Sequence, residues 1–275
     1  MKKFLISFAA IIFILTGCGS NNGSADSTNV KVGTTTAETP TWELVKELAA
    51  EEGIEIEIIQ FSDYVQPNIA LDNGEIDLNA FQTITYFHSF KEEQGLHLSA
   101  IGTTAIWPMG IYSEKIEELS EIGDGAQIIL PKEPTNLGRA LMLLEKAELI
   151  TLKEGFNGSG GVESIVENPK NLDIVTVTAG QTARGLQDAT AAVINSDIAI
   201  AAGLNPTSDP VFREDEQSVP YINIIASHTD RKNEEVFQQI VDIYHSEKVQ
   251  SFIEDEYEGA AVPVVRPIEE VIEEQ

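Results

Sequence analysis

The sequence predicts an α/β protein of two lobes joined by two chain crossings, and two observations lead there. From Val30 onward, short β-like apolar runs alternate with helix-like runs, the order that places mainly parallel sheets under covering helices. Two apolar strands, MGIYS at 109–113 and YINIIAS at 221–227, stand apart, and three further strand candidates lie between them, enough for a small sheet of their own. One lobe is therefore expected to comprise 30–110 and 225–275 and the other 111–224, with these two strands crossing the hinge. A ligand would sit between the lobes, where domain interfaces and strand ends preferentially place binding sites.

The elements follow in order. Lys2 and Lys3 precede the apolar run Phe4–Leu15, and Leu15, Thr16, Gly17 and Cys18 come next. As a helix that run is only about 18 Å long, too short for a hydrocarbon core of about 30 Å, so residues 1–17 read as a signal peptide. The tetrad resembles the bacterial lipobox, in which the cysteine is lipidated before cleavage; an ordinary signal peptide with an incidental cysteine is the alternative. Cys18 is the sole cysteine, so no disulfide framework or thiol nucleophile is available. Residues 19–29, GSNNGSADSTN, have nothing with which to build a core and read as a flexible tether.

VKVGTT at 30–35 is the first strand, Trp42–Glu52 a helix and IEIEIIQF, ending at Phe61, an alternating strand. IDLNAF and LSAIGTT are strands around a helix near Tyr86–Gln94. QIILP, DIVTVT and AAVIN are short apolar strands, each followed by a helix-like segment. Helical patterns at Glu234–Ser246 and Lys248–Glu256 close the chain, and the acidic end after Pro267 is expected to fray.

The formal net charge is −28, and losing residues 1–17, with two lysines and no acid, takes it to −30. Nucleic acid and bare anionic lipid are poor partners for such a surface. His88, His97, His228 and His245 show no paired metal-ligand spacing, no Gly-x-Ser-x-Gly elbow or phosphate-binding GxxxxGK[ST] occurs, and nothing nominates a catalytic residue, a metal or a cofactor. GSGG at 158–161 reads as a surface turn.

A free amino acid needs a cation or N–H cluster for its carboxylate, acceptors for its ammonium and a pocket for its side chain. In PTNLGRALMLLEK, Arg139 points away from the apolar stripe of Leu137, Ala140, Leu141 and Leu144, within what reads as the first helical turn. A cation is disfavoured there by the helix dipole, and a bound anion would compensate it; an exposed solubilising arginine is the alternative. Tyr64, Phe81, Tyr86 and Trp107 all lie near predicted strand ends and could line an apolar pocket in which a thioether packs well, or belong to the core. Asn195, closing AAVIN, offers a donor and an acceptor, or caps a turn.

With these segments in place, the chain resembles the methionine-binding lipoproteins of the MetQ/NlpA family, the substrate-binding components of amino-acid ABC importers. The carriers are FSDYVQPN, GEIDLNAFQ, PMGIYS, LPKEPTNLGRAL, VENPKNL, AAVIN and AGLNP, in order and at compatible spacing over nearly all of the chain beyond Cys18. The resemblance implies a two-lobe, type II periplasmic-binding-protein-like fold, a lipid anchor at Cys18 with the folded body outside the cytoplasm, and delivery of ligand to a permease and ATPase complex without chemistry. It implies that Arg139 binds the ligand carboxylate, with Asn136 in the same segment, that Asn195 bonds the head group, and that Tyr64, Phe81 and Tyr86 form the side-chain pocket. Thr83, Thr85, Ala105 and Trp107 depart from the family pattern, which makes an amino-acid ligand a firmer expectation than methionine itself. Another amino acid, a methionine-containing dipeptide, and a surface interaction lipoprotein without a transport role are the alternatives. With Arg139 and Asn195 on one lobe and the aromatics largely on the other, ligand would latch the lobes together.

Overall fold

β1 (Thr28–Thr35) opens the part of the chain that the computed structural model describes, residues 28–215 and 219–274. The expected signal peptide and Cys18 lie outside the described residues, as does the expected tether up to residue 27; Thr28 and Asn29 already pair with Ile54 and Glu55. α1 (Thr39–Glu51) starts three residues ahead of Trp42 because Pro40 suits a first turn, where its missing N–H costs nothing. β2 (Ile54–Phe61) buries Ile54 and Ile56 and exposes Glu55 and Glu57, the alternation its sequence shows. α2 (Gln66–Asp72), β3 (Leu78–Thr83), α3 (Ile84–Gln94) and β4 (Leu98–Ile106) complete the first pass.

The chain then crosses to β5 (Gly110–Tyr112), β6 (Gln127–Pro131), α4 (Pro134–Lys146), β7 (Thr151–Leu152), β8 (Ile165–Glu167), β9 (Asp173–Val177), α5 (Ala179–Thr182), β10 (Ala191–Ile194), α6 (Ser196–Ala201) and β11 (Phe212–Arg213). It returns as β12 (Ile222–His228), α7 (Glu235–Tyr244), α8 (Glu247–Tyr257), β13 (Val262–Pro263) and α9 (Ile268–Glu273).

Two larger sheets result, ordered β13-β4-β12-β3-β1-β2 and β11-β5-β10-β6-β9, beside a small β7-β8 ribbon. The crossings fall between β4 and β5 and between β11 and β12, and β5 and β12 each belong to a single sheet. The sheets are mixed rather than mainly parallel: β1 pairs in parallel with β2 and β3, and β6 with β9 and β10, but β12 runs antiparallel to both β3 and β4. A strand that re-enters from the other sheet arrives from the opposite end, and sequence periodicity carries no record of that direction.

Helices cover the first sheet on both faces. Trp42, Val45 and Ala49 of α1 pack with Phe237, Ile240 and Tyr244 of α7 on one face, and Leu71 of α2 and Phe87 of α3 lie on the other. The second sheet buries Ile128 and Leu130 against Ala140, Leu141 and Leu144 of α4. The acidic end is not frayed: Ile268 and Val271 of α9 pack beneath the first sheet, while Arg266 pairs with Glu270 and Glu274. Two apolar residues three apart anchor this short helix despite its three glutamates. GSGG is a surface turn, as expected, but it is pressed against α4: a Cβ on Gly138 would lie 1.8 Å from the Gly158 carbonyl oxygen. Among the described residues, no helix is long and apolar enough to cross a membrane.

Candidate ligand-binding site

Local chemistry places the aromatic residues of the first lobe. Asp63 Oδ1 accepts the N–H groups of Val65 and Gln66, each at 2.8 Å, and this Asx turn just ahead of α2 fixes the segment that carries Tyr64. Thr83 Oγ1 accepts the Tyr86 N–H at 3.1 Å, which starts α3 as the chain leaves β3 and holds Tyr86 beside Phe81. The three rings gather with centroids 5.9 to 6.3 Å apart, and the Tyr86 hydroxyl donates to the Tyr64 carbonyl at 2.9 Å. Behind them Asn68, Asn79 and Gln82, all buried, exchange amide hydrogen bonds of 2.7 to 2.9 Å, so the platform has a rigid back.

The second lobe contributes α4 and the β10–α6 junction. Asn136 and Arg139 project from α4, and Asn195 stands at the N-cap position of α6 without capping it. Its Nδ2 donates to Asn136 Oδ1 at 3.4 Å, and its buried Oδ1 has no partner, so turn-capping does not account for this side chain. Two residues on, Asp197 reaches across the cleft and accepts the Tyr64 hydroxyl at 2.6 Å. Burial pushes the Asp197 carboxyl up to about 6, against the pull of the Tyr64 hydroxyl and nearby backbone N–H groups. Glu38, also buried, is held well above the usual carboxylate range by desolvation and then by the Asp197 charge; Asn223 hydrogen-bonds it and opposes the rise.

All seven residues expected at a site line one cavity: Tyr64, Phe81, Tyr86, Trp107, Asn136, Arg139 and Asn195. The aromatics come from the first lobe, the polar groups from the second, and Trp107 from the crossing between them. Gln82, Thr83, Ser196, Asp197 and Asn223 join the lining. Asp197 was hidden because an acid in a helical first turn is ordinary dipole chemistry, and Asn223 because a strand interior gives no polar signal. About 30 Å³ of this cavity is open to the centres of water molecules, room for water but not for an amino acid without movement of its walls.

Arg139 differs from its expected setting in two ways. Pro134 begins α4, so Arg139 stands in the second turn, beyond the reach of the N-terminal dipole. The arginine is neither exposed nor uncompensated: it is 3% accessible, its Nε donates to Glu214 Oε1 at 2.9 Å, and its Nη2 donates to Glu214 Oε2 at 2.6 Å and to the Trp107 carbonyl at 2.9 Å. The Tyr221 ring covers it at 4.1 Å. Glu214 also accepts the Met109 N–H at 2.8 Å, so a residue on the returning segment fastens both the arginine and the outgoing crossing. Nothing near Glu214 in the sequence marks that role, because the partners lie 75 and 105 residues away.

Trp107 packs edge-on against Tyr257, with centroids 4.9 Å apart, and its buried Nε1 has no partner. The Asp197 Oδ2 and Glu38 Oε2 atoms are likewise buried and unpartnered. Buried polar atoms are nearly always satisfied, so three orphans on residues that line one cavity, Trp107, Asn195 and Asp197, mark a surface suited to a polar ligand. Between the Trp107 indole N–H, the Arg139 guanidinium, the Asn195 amide oxygen and the Asp197 carboxylate, both ends of a zwitterion find complementary groups. The histidines His97 and His228, far apart in sequence, are brought together by the fold with Asp72, at the far end of the first sheet from the cleft.

Comparison with known proteins agrees with this architecture. The D-methionine-binding lipoprotein MetQ of Escherichia coli K12 is 41% identical over 252 residues, covering 90% of this chain and 92% of that protein. An uncharacterized lipoprotein of Bacillus subtilis, YhcJ, is 38% identical over 270 residues, covering 98% and 96%. Among solved structures, protein PG110 of Staphylococcus aureus superimposes with a TM-score of 0.86 at 41% identity, covering 89% of this chain and 97% of that one. A nutrient-binding protein of Burkholderia cenocepacia, solved bound to methionine, gives 0.82 at 39% identity over 85% and 99%. Residues 30–265 match the profile of the NlpA lipoproteins, and with full-length relatives near 40% identity the conclusion is that the chain belongs to the NlpA lipoprotein family.

Proposed function

We propose that this protein is the lipid-anchored receptor of an ABC importer, which binds a free amino acid, methionine or a close relative, between its lobes and delivers it to the permease. The observation that carries the reading is the convergence of unpartnered buried polar atoms on a cleft walled by three aromatic rings. Relatives named for D-methionine and a related structure bound to methionine support the ligand class. Arg139, held in place by Glu214, faces the ligand carboxylate together with Asn136; Asn195 and Asp197 accept from its ammonium; Tyr64, Phe81 and Tyr86 surround its side chain. An anchor at Cys18 keeps the receptor near its permease and raises the effective concentration for docking.

A second reading, a methionine-containing dipeptide, is favoured by one observation. A larger cavity of about 450 Å³ adjoins the cleft, shares Tyr64 and Asp197 with it, and runs between Ser62, Glu133 and Arg184. It would take an extra residue on the amino side of the ligand. Mass spectrometry of the compound carried through purification separates the readings. Free methionine supports the first and a dipeptide the second, while a ligand with no amino-acid head group would overturn both.

A further inference from the structure

At the end of the first lobe remote from the cleft, the chain brings together side chains that no part of the proposed transport reading uses. Asp72 is the last residue of α2, His97 precedes β4, and His228 closes β12. Each offers one ligand atom, and these atoms all lie within 4.8 Å of one another. The site is remote because β12 runs from Asn223 in the cleft to His228, five residues or about 17 Å away at strand rise.

We propose that Asp72, His97 and His228 form a binding site for a divalent transition-metal ion, zinc being the best match. Two imidazoles and one carboxylate are a borderline, nitrogen-rich donor set, which suits zinc, cobalt, nickel or copper and disfavours calcium and magnesium. In tetrahedral zinc sites with bonds of about 2.0 to 2.1 Å, ligand atoms stand roughly 3.4 Å apart. The His97 Nδ1 to Asp72 Oδ1 separation is already 3.6 Å. The two imidazole centroids are 6.3 Å apart, so an ion between the rings needs only side-chain rotation, which the 75% accessibility of the His97 side chain allows. Three protein ligands leave the fourth position to water.

The backbone around the site is fixed. Asp72 Oδ1 accepts the His97 N–H at 2.7 Å, which orients the carboxylate, and the Thr229 N–H donates to the His97 carbonyl at 2.7 Å, which locks the His97 segment to the end of β12. Asp230 supplies an outer carboxylate, its Oδ2 lying 3.9 Å from His228 Nδ1. With a proton on Nδ1 directed at Asp230, His228 presents Nε2 to the metal, the usual pairing of a metal-bound histidine with a carboxylate. This exchanges a long contact, the 3.3 Å hydrogen bond from the Asp230 N–H to His228 Nδ1. All the ligands belong to one lobe, so the ion clamps α2, β4 and β12 together without acting on lobe closure.

The test uses the full-length protein without a histidine tag, stripped with chelator and titrated with zinc chloride by calorimetry and with cobalt chloride by visible absorption. One equivalent of zinc should bind in the presence of millimolar calcium and magnesium, and cobalt should give the intense visible bands of a four-coordinate N/O site. His97→Ala, a change at an exposed side chain, should weaken zinc binding at least tenfold with unchanged circular dichroism, and Asp230→Ala should weaken it on the order of tenfold, in the range of outer-ligand mutations. Absence of a one-equivalent site, or a site that His97→Ala and His228→Ala both leave intact, overturns the assignment and attributes any zinc heat to the acidic surface.

Discussion

At the scale of single residues, the two charged groups facing the cleft differ in what they imply. Arg139 and Glu214 form a buried bidentate pair, with side chains 3% and 14% accessible. Removing one member of such a pair strands the other, at a cost of about 3 to 5 kcal/mol. Arg139→Ala should therefore lose about that much stability in denaturant melts and, in calorimetry, about 2 to 5 kcal/mol of affinity for the amino acid. A full loss of stability with unchanged affinity would show that the arginine serves the crossing and not the ligand. Asp197 sets a pH dependence. Its carboxyl ionises near 3.8 when unfolded and near 6 when folded, so in that window the folded state holds the extra proton and stability falls as pH rises. An ammonium ligand favours the ionised carboxylate, so affinity should weaken as pH falls below about 6, and Asp197→Asn should flatten both profiles. Equal ligand affinity at pH 5 and 7.5 in the unaltered protein would remove Asp197 from the head-group site.

At the scale of elements, the strands and helices were largely legible because burial leaves a periodic trace: β2 alternates residue by residue, and the stripe of α4 recurs every three or four positions. Of the site, the aromatics and Asn195 were legible as residues at strand ends. Glu214, Asp197 and Asn223 were not, since each acts through partners distant in sequence, and the pairing of His97 with His228 exists only because β4 and β12 are neighbours. The charge of α9 hides its order, because two buried side chains outweigh its three solvated acids. The contact of α4 with the GSGG turn also exists only in the fold, and it sets the height of the helix that bears Asn136 and Arg139. Gly138→Ala would force a methyl group into the Gly158 carbonyl and should cost about 1 to 3 kcal/mol, as overpacking does, with weaker ligand binding than the stability loss alone explains. Wild-type melting and affinity in this variant would mean that the turn yields freely.

At the scale of the molecule, two sheets with separate cores meet through two crossings; among the described residues Tyr64 bonds Asp197 across the cleft, Tyr64, Phe81 and Tyr86 pack against Ala179 from the other lobe, and Thr207 to Glu258 and Arg213 to Gly259 tie the lobes outside it. With the bonds outside the cleft acting as a hinge, a ligand that touches both lobes draws them closed by as much as its affinity for the closed state exceeds that for the open one. The cavity volume fits this cycle, since an amino acid enters only when the walls separate. The decisive measurement is calorimetry on protein unfolded and refolded to strip retained ligand, titrated with amino acids and short methionine peptides and paired with X-ray scattering. The receptor should show one site of micromolar or tighter affinity for methionine or a close relative, with a smaller radius of gyration once it is filled. No heat with any of these ligands, in a refolded protein of native circular dichroism, would contradict this expectation.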